Sequence, residues 1–378
     1  MIIKYKPEDF YVREIFDIKK FEKKDEGRDF FYFILKKRNY NQIRALKKIS
    51  RIFNVSVKRI HFAGTKDKIG VTEQVISINS IKENEIENKL NIINNKVKDL
   101  NLKYIGKYKG RINLGDLEGN YFEIVIRDLK NSDIKLCKKN IKDIKKDGLV
   151  NYFDKQRFGY ANNSHIIGKL IIKGKIKEAL IEIFTSLPEN PSEDLKEFVL
   201  NFPEGLEDKN SLKFIIKNLP KNMREYQKVI EHLLKYTNDY SGAFRKLHKK
   251  LRTLYVNAYQ SYLWNLTAKK LKEENVNLKE IELLGYNTNL ENLLYKDIIL
   301  DLLKKENLNL NDFKISHMPE LSLKGSKRNF KIYPKELEIL EIGKENLDNS
   351  ESYFIKVKFI LDSGAYATNV ITSFFTKK

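Results

Sequence analysis

An α+β fold built on a mixed or antiparallel sheet is predicted for this 378-residue chain, on three observations. Strand-like runs crowd the N-terminal third and return only after Glu320. Between them, from Asn151 to about Asn307, helical patterns dominate. The chain is long enough to bury two cores, and a late strand can pair back into an early sheet. The predicted organisation is one discontinuous domain, residues 1–147 plus 329–378, interrupted by a mostly helical α+β insertion, residues 148–328.

The elements follow in order. Phe30–Leu35 is an apolar run of strand length. Asn41 caps a helix whose apolar positions Ile43, Leu46, Ile49 and Phe53 recur at helical spacing. Arg59–Phe62 reads as a short strand, the segment from Gly64 to Gly70 as a turn, and Val71–Ile78 as a further strand. The Asn- and Lys-rich stretch Lys82–Asp99 reads as a surface excursion. Asn120–Ile126 is a strand entered through the Gly115–Gly119 turn, and Ser132 or Asp133 opens a helix that Gly148 closes. Glu225–Tyr236 and Phe244–Glu274 are predicted helices, and strands resume at Phe330–Tyr333 and Tyr353–Ile360.

Charge narrows the partners. Lys and Arg number 72 against 51 Asp and Glu, a net charge of +21, which attracts polyanions over long range. Nucleic acid is therefore the first partner to consider, against the alternative of an ordinary solvated lysine surface. The single Cys137 excludes an intrachain disulfide framework, and the five scattered histidines show no metal-ligand spacing. No metal and no nucleotide cofactor is expected: neither a phosphate-loop nor a dinucleotide glycine pattern is present, and no Ser/His/Asp set can be placed. No apolar run reaches membrane-spanning length and the N-terminus carries no leader pattern, so a cytoplasmic protein without membrane contact or an obligate protein partner is expected.

Ala63-Gly64-Thr65-Lys66-Asp67-Lys68-Ile69-Gly70-Val71-Thr72-Glu73-Gln74 packs a tight turn, a Lys-Asp pair and the start of an alternating strand into one segment. An Asp in a turn is most often a backbone cap. Here the segment closely resembles the signature of the TruD family of tRNA pseudouridine synthases. Five further blocks resemble that family in the same order. They are Pro7-Glu8-Asp9-Phe10 with Val12 and Glu14, Leu117–Phe122, Asn151–Gly159, Ala258–Asn265 and Ser363–Thr368. Gly70 stands where Ala is usual, Asp154 replaces a Gly, Ala365 a Ser, Asp362 a frequent Pro, and Tyr366 and Trp264 replace Phe.

The resemblance implies a pseudouridine synthase fold with an inserted domain opening near Asn151. It also implies isomerisation of a tRNA uridine, usually uridine 13 of the D arm, without a cofactor. It assigns Asp67 as the single carboxylate the chemistry needs, nucleophile or base. Lys66 is the nearest cation in sequence, and either favours the charged carboxylate or binds phosphate. Phe10, Phe122 and Tyr366 are the aromatic candidates to replace the stacking of a flipped-out uracil, at roughly 1–3 kcal/mol per base. Asn120 orients Asp67 or the base, or is a turn Asn. Glu14 is a partner for a basic group or a strand-end charge. Arg157 tethers the inserted domain or meets RNA, and the stretch Arg245–Arg252 reads as a basic helix face. Two rivals are an RNA-binding protein without chemistry and a metal-dependent nuclease, which would want clustered carboxylates.

Overall fold

The computed structural model describes residues 1–22, 26–347 and 350–377. They form two compact units, Met1–Leu149 with Ile332–Lys378, and Val150–Lys331.

In the first unit one sheet of nine strands forms among the described residues. It contains β1 (Ile2–Ile3), β2 (Phe10–Ile15), β3 (Phe30–Arg38), β4 (Ile60–Phe62), β5 (Val71–Asn79), β6 (Leu100–Tyr108) and β7 (Gly119–Leu129). A C-terminal hairpin, Lys335–Leu347 and Ser350–Asp362, completes it. From that hairpin the order runs β7, β2, β5, β3, β6, with β1 also on β7 and β4 also on β5. The central pair β2 and β5 is parallel, and the other pairings are antiparallel. The sheet is thus mixed, as predicted.

Apolar strand residues dictate what covers the sheet. Phe31, Phe33 and Leu35 pack with Ala45, Leu46, Ile49 and Phe53 of the Gln42–Phe53 helix and with Ile86 and Ile93 of the Ile86–Lys96 helix. Phe30 and Tyr32, on the other side of the same strand, pack with Phe21 and Ile112. That double coverage explains why β3 reads as a nearly unbroken apolar run. Phe10, Val12, Phe122 and Ile124 pack with the Asn131–Asp147 and Ala367–Phe374 helices.

Register then fixes a polar strip on that helix-covered face. Val12 lies opposite Phe122 and Thr72, and Thr72 lies opposite Lys37. Two residues along, Glu14 lies opposite Asn120, and Gln74 opposite Leu35. Because side chains alternate with period two, Lys37, Thr72, Gln74, Glu14 and Asn120 share one face.

Three expectations need correction, and two strands went unpredicted. The segment Lys82–Asp99 contains the Ile86–Lys96 helix, which buries only Ile86 and Ile93 and so leaves a weak periodic signal. Leu100–Tyr108 and Lys335–Leu347 are strands at the two ends of the strand order. The long helix predicted from Phe244 is two: Tyr240–Arg245, then Lys249–Glu273 capped by His248, whose Nδ1 accepts the Lys250 amide at 3.2 Å. Ile43 faces outward, 61% exposed, while Gln42 takes the inward position of the helix.

The second unit is mainly helical, packed around Phe184, Phe244, Tyr259, Trp264 and Phe313, and includes the antiparallel pair Glu280–Leu283 and Ser326–Asn329. Among the described residues no helix is long and apolar enough to cross a membrane.

Candidate active site

The Asp67 loop, between β4 and β5, is held over the polar strip by side chains from three surrounding elements. From the Gln42–Phe53 helix, Gln42 Oε1 accepts the Lys66 amide at 2.5 Å while its Nε2 donates to the Gly64 carbonyl at 3.4 Å. From β5, Gln74 Nε2 donates to the same carbonyl at 3.2 Å. From β3, the buried Lys37 ammonium donates to the backbone carbonyl of Asp67 itself. Buried polar groups joined in this way specify one loop geometry, because any other leaves donors or acceptors unsatisfied.

Lys66 does not supply the counter-charge of Asp67. Its ammonium donates to Glu14 Oε2 at 2.6 Å, with the two side chains only 6% and 0% exposed. Lys66 is therefore a buried anchor of the loop, not a group turned toward a phosphate. Burial pushes the Glu14 carboxyl above its ordinary range, a push the Lys66 charge opposes. Glu14 also accepts the Val75 amide at 3.4 Å, so it is a pairing partner and not a strand-end charge.

The cation beside Asp67 is Lys4, whose ammonium donates to Asp67 Oδ2 at 2.7 Å. The same ammonium lies 4.0 Å from the centroid of the Phe10 ring, an attractive cation–π placement. Among the described residues Lys4 is the ion-pair partner of Asp67, and it engages one carboxylate oxygen. The Asp67 side chain is 46% exposed, so the carboxylate is open to solvent in the free protein.

The other candidates divide. Phe10 and Phe122, 5% and 7% exposed, sit in the sheet core. Their rings pack edge to face at 6.3 Å, and Phe122 stacks on Phe359 at 5.2 Å. This corrects the expectation that they offer a face to a nucleobase: their register points them inward, where Phe10 supports Lys4 instead. Tyr366, partly buried, caps the Ala367–Phe374 helix and is the aromatic candidate that retains accessible surface. Asn120 lies on the strip opposite Glu14, and its Oδ1 is buried without a hydrogen-bond partner, as are Thr72 Oγ1 and Gln74 Oε1.

Four sequence blocks converge here. The Gly115 amide donates to the Ala63 carbonyl at 2.8 Å, Glu118 N to Ile15 O at 3.0 Å, and Ser363 N to Glu118 O at 3.0 Å. A Cβ on Gly119 would lie 2.3 Å from the Leu361 carbonyl, so only glycine fits that crossing. Asp9 holds the Pro-Glu-Asp-Phe turn: it accepts two bonds from Arg127, at 2.8 and 2.7 Å, and caps the Lys6 amide. Among the described residues no group of three His, Cys, Asp or Glu could hold a metal.

The family model of tRNA pseudouridine synthase D (TruD) matches residues 1–282 and 267–374 of this sequence. The chain belongs to the TruD family. It is 31% identical to the "Probable tRNA pseudouridine synthase D" of Methanosarcina acetivorans, over 97% of this chain and 90% of that one. Its Methanosarcina mazei counterpart is 32% identical over 97% and 91%. The tRNA pseudouridine synthase D of Aquifex aeolicus is 34% identical over 70% of this chain and 64% of its own length. A crystal structure of a TruD-assigned protein from Methanosarcina mazei superposes with a TM-score of 0.75 at 27% identity, covering 99% of this chain and 93% of that one. As a TruD member this chain is a pseudouridine synthase, an isomerase.

The remaining two TruD-like blocks meet inside the second unit. Asn265 accepts the Phe153 amide at 2.8 Å and donates to the Phe153 carbonyl at 3.0 Å. Arg157 donates to Ser261 at 3.0 Å, and Phe153 packs edge to face on Trp264 at 5.7 Å. Arg157 is thus bonded within its own unit. The Arg245–Arg252 stretch is not one helix face either: Arg245 and Arg252 both pair with Glu320, at 3.2 and 2.8 Å.

Sequence reasoning missed Lys4, Lys37, Gln42 and Gln74. Signals existed for Gln74, which closes the family-like segment, and for Gln42, which shares the helical phase of the buried Ala45, Leu46 and Ile49.

Proposed function

We propose that this chain converts uridine 13 in the D arm of tRNA to pseudouridine, with Asp67 as the reacting carboxylate and Met1–Leu149 with Ile332–Lys378 as the catalytic domain. In this reaction the glycosidic C–N bond breaks, the uracil turns, and a bond from the sugar to a ring carbon forms. The proton lost from that carbon is balanced by one gained on nitrogen, so no oxidant or reductant is consumed. Asp67 acts beside the sugar as nucleophile or base.

The observation that carries the reading is a solvent-accessible carboxylate on a loop pinned from below by Lys37, Gln42, Gln74 and the Lys66–Glu14 pair. Lys4 holds one oxygen and leaves the other for the nucleoside. A target in folded RNA must leave its stack to reach such a group. Tyr366, which keeps accessible surface, is the aromatic that would stack on it in this reading, and the Asn120 amide the group that would meet its polar edge. The Val150–Lys331 unit is the inserted domain of the family and contributes to tRNA binding.

The test incubates purified protein with an unmodified tRNA transcript, without added metal or cofactor, and maps pseudouridine. Modification at position 13, lost when that uridine is replaced by cytidine, is expected. Pseudouridine at another position would overturn the assigned target, and none anywhere would overturn the reading.

A further inference from the structure

The Gln42–Phe53 helix that holds the Asp67 loop presents a second feature on its outer face. Arg44, Lys47, Lys48 and Arg51 are all exposed and recur at spacings of three, four and seven residues, one stripe along the helix. The helix contains no acidic residue. Among the described residues none of the four cations takes part in an ion pair. Elsewhere some exposed helical lysines pair locally, as in Lys305–Asp301, Lys196–Glu193 and Lys270–Glu273. Like charges three and four residues apart weaken a helix, and here four such pairs occur with no ion pair among the described residues to offset them. Ile43, 61% exposed, adjoins the stripe.

We propose that this face is an RNA-backbone site, receiving phosphates next to the nucleoside that reaches Asp67. The inference rests on the function proposed above and adds where the substrate's backbone lies. The stripe spans about 10 Å from Arg44 to Arg51, at about 1.5 Å rise per residue, a length that suits successive phosphates of one strand. It begins two residues from Gln42, whose side chain fixes the Lys66 amide and the Gly64 carbonyl. Backbone contact and reacting carboxylate therefore sit on one rigid support, and the outward Ile43 gives a sugar an apolar surface to rest on.

The test compares the chain with a variant carrying Arg44→Gln, Lys47→Gln, Lys48→Gln and Arg51→Gln, all at exposed positions of a helix that Gln favours. A control variant carries Lys135→Gln, Lys138→Gln, Lys142→Gln and Lys146→Gln, the same loss of charge on the Asn131–Asp147 helix. Binding of an unmodified tRNA transcript is measured across a salt series, and turnover at saturating transcript. The stripe variant is expected to bind at least tenfold more weakly at moderate salt, to lose about three from the slope of log affinity against log salt, and to keep turnover within about twofold. The control is expected to keep its slope. An unchanged slope in the stripe variant, or an equal loss in the control, would overturn the proposal. If the unaltered protein forms no pseudouridine, the functional reading falls, while the binding comparison still decides the stripe.

Discussion

Asp67 takes its surroundings from residues far away in the chain, and single substitutions there separate geometry from charge. Lys4→Met removes the cation at Asp67 Oδ2 while sparing the buried pins of the loop; turnover should fall about 10²-fold, with Lys4→Arg restoring part of it. Equal kcat in wild type and Lys4→Met would contradict that placement. Gly70 has φ +128, and a Cβ there would come within 2.6 Å of the Phe10 carbonyl. Gly70→Ala should therefore destabilise by about 1–3 kcal/mol, measured by urea unfolding, although Ala is usual at this position of the family pattern. Burial pulls the Lys37 ammonium down to about 8 from its ordinary 10.5, with the Lys66 charge adding to the fall and the Asp67 charge opposing it. Between those two values the unfolded chain holds a proton that the folded chain has released, so stability rises with pH across that window. The stability of wild type minus that of Lys37→Met should grow from pH 7.5 to pH 10; a flat difference would show that Lys37 titrates normally.

At the scale of elements, the Lys66–Glu14 pair decides whether β2 and the Asp67 loop stay together. Lys66→Ala leaves a buried carboxylate uncompensated and should cost roughly 3–5 kcal/mol by urea unfolding. Glu14→Gln with Lys66→Met should regain most of that stability without regaining activity. A single variant as stable as the double would contradict the pairing. These elements were unequally legible. Val71–Asn79 and Gly119–Leu129 announced themselves because alternation and β-branched residues agreed over many positions. Lys335–Leu347 did not: as an edge strand it buries little, and its Lys, Glu and Leu content suits a helix equally well. The break after Arg245 was hidden because His is an unusual helix cap and the pairing of two arginines with Glu320 is a tertiary matter.

Across the whole molecule, six short blocks resolve into two groups by what they touch. Four converge at the Asp67 end of one sheet, and in the other unit two lock the segment from Asn151 to Gly159 to the Lys249–Glu273 helix. The carboxylate proposed to react was readable from the motif that contains it. Its cation and two of its supports were not, because Lys4, Lys37 and Gln42 lie on separate elements outside the blocks and meet the loop only through the fold. Phe10 and Phe122 show the converse: their place in motif blocks singled them out, yet the register gives both a core position. The most direct measurement is pseudouridine formation by Asp67→Asn on an unmodified tRNA transcript, with transcript affinity determined alongside. Loss of all turnover with affinity within about threefold of wild type is the predicted result; substantial turnover by Asp67→Asn would contradict the assignment of this carboxylate.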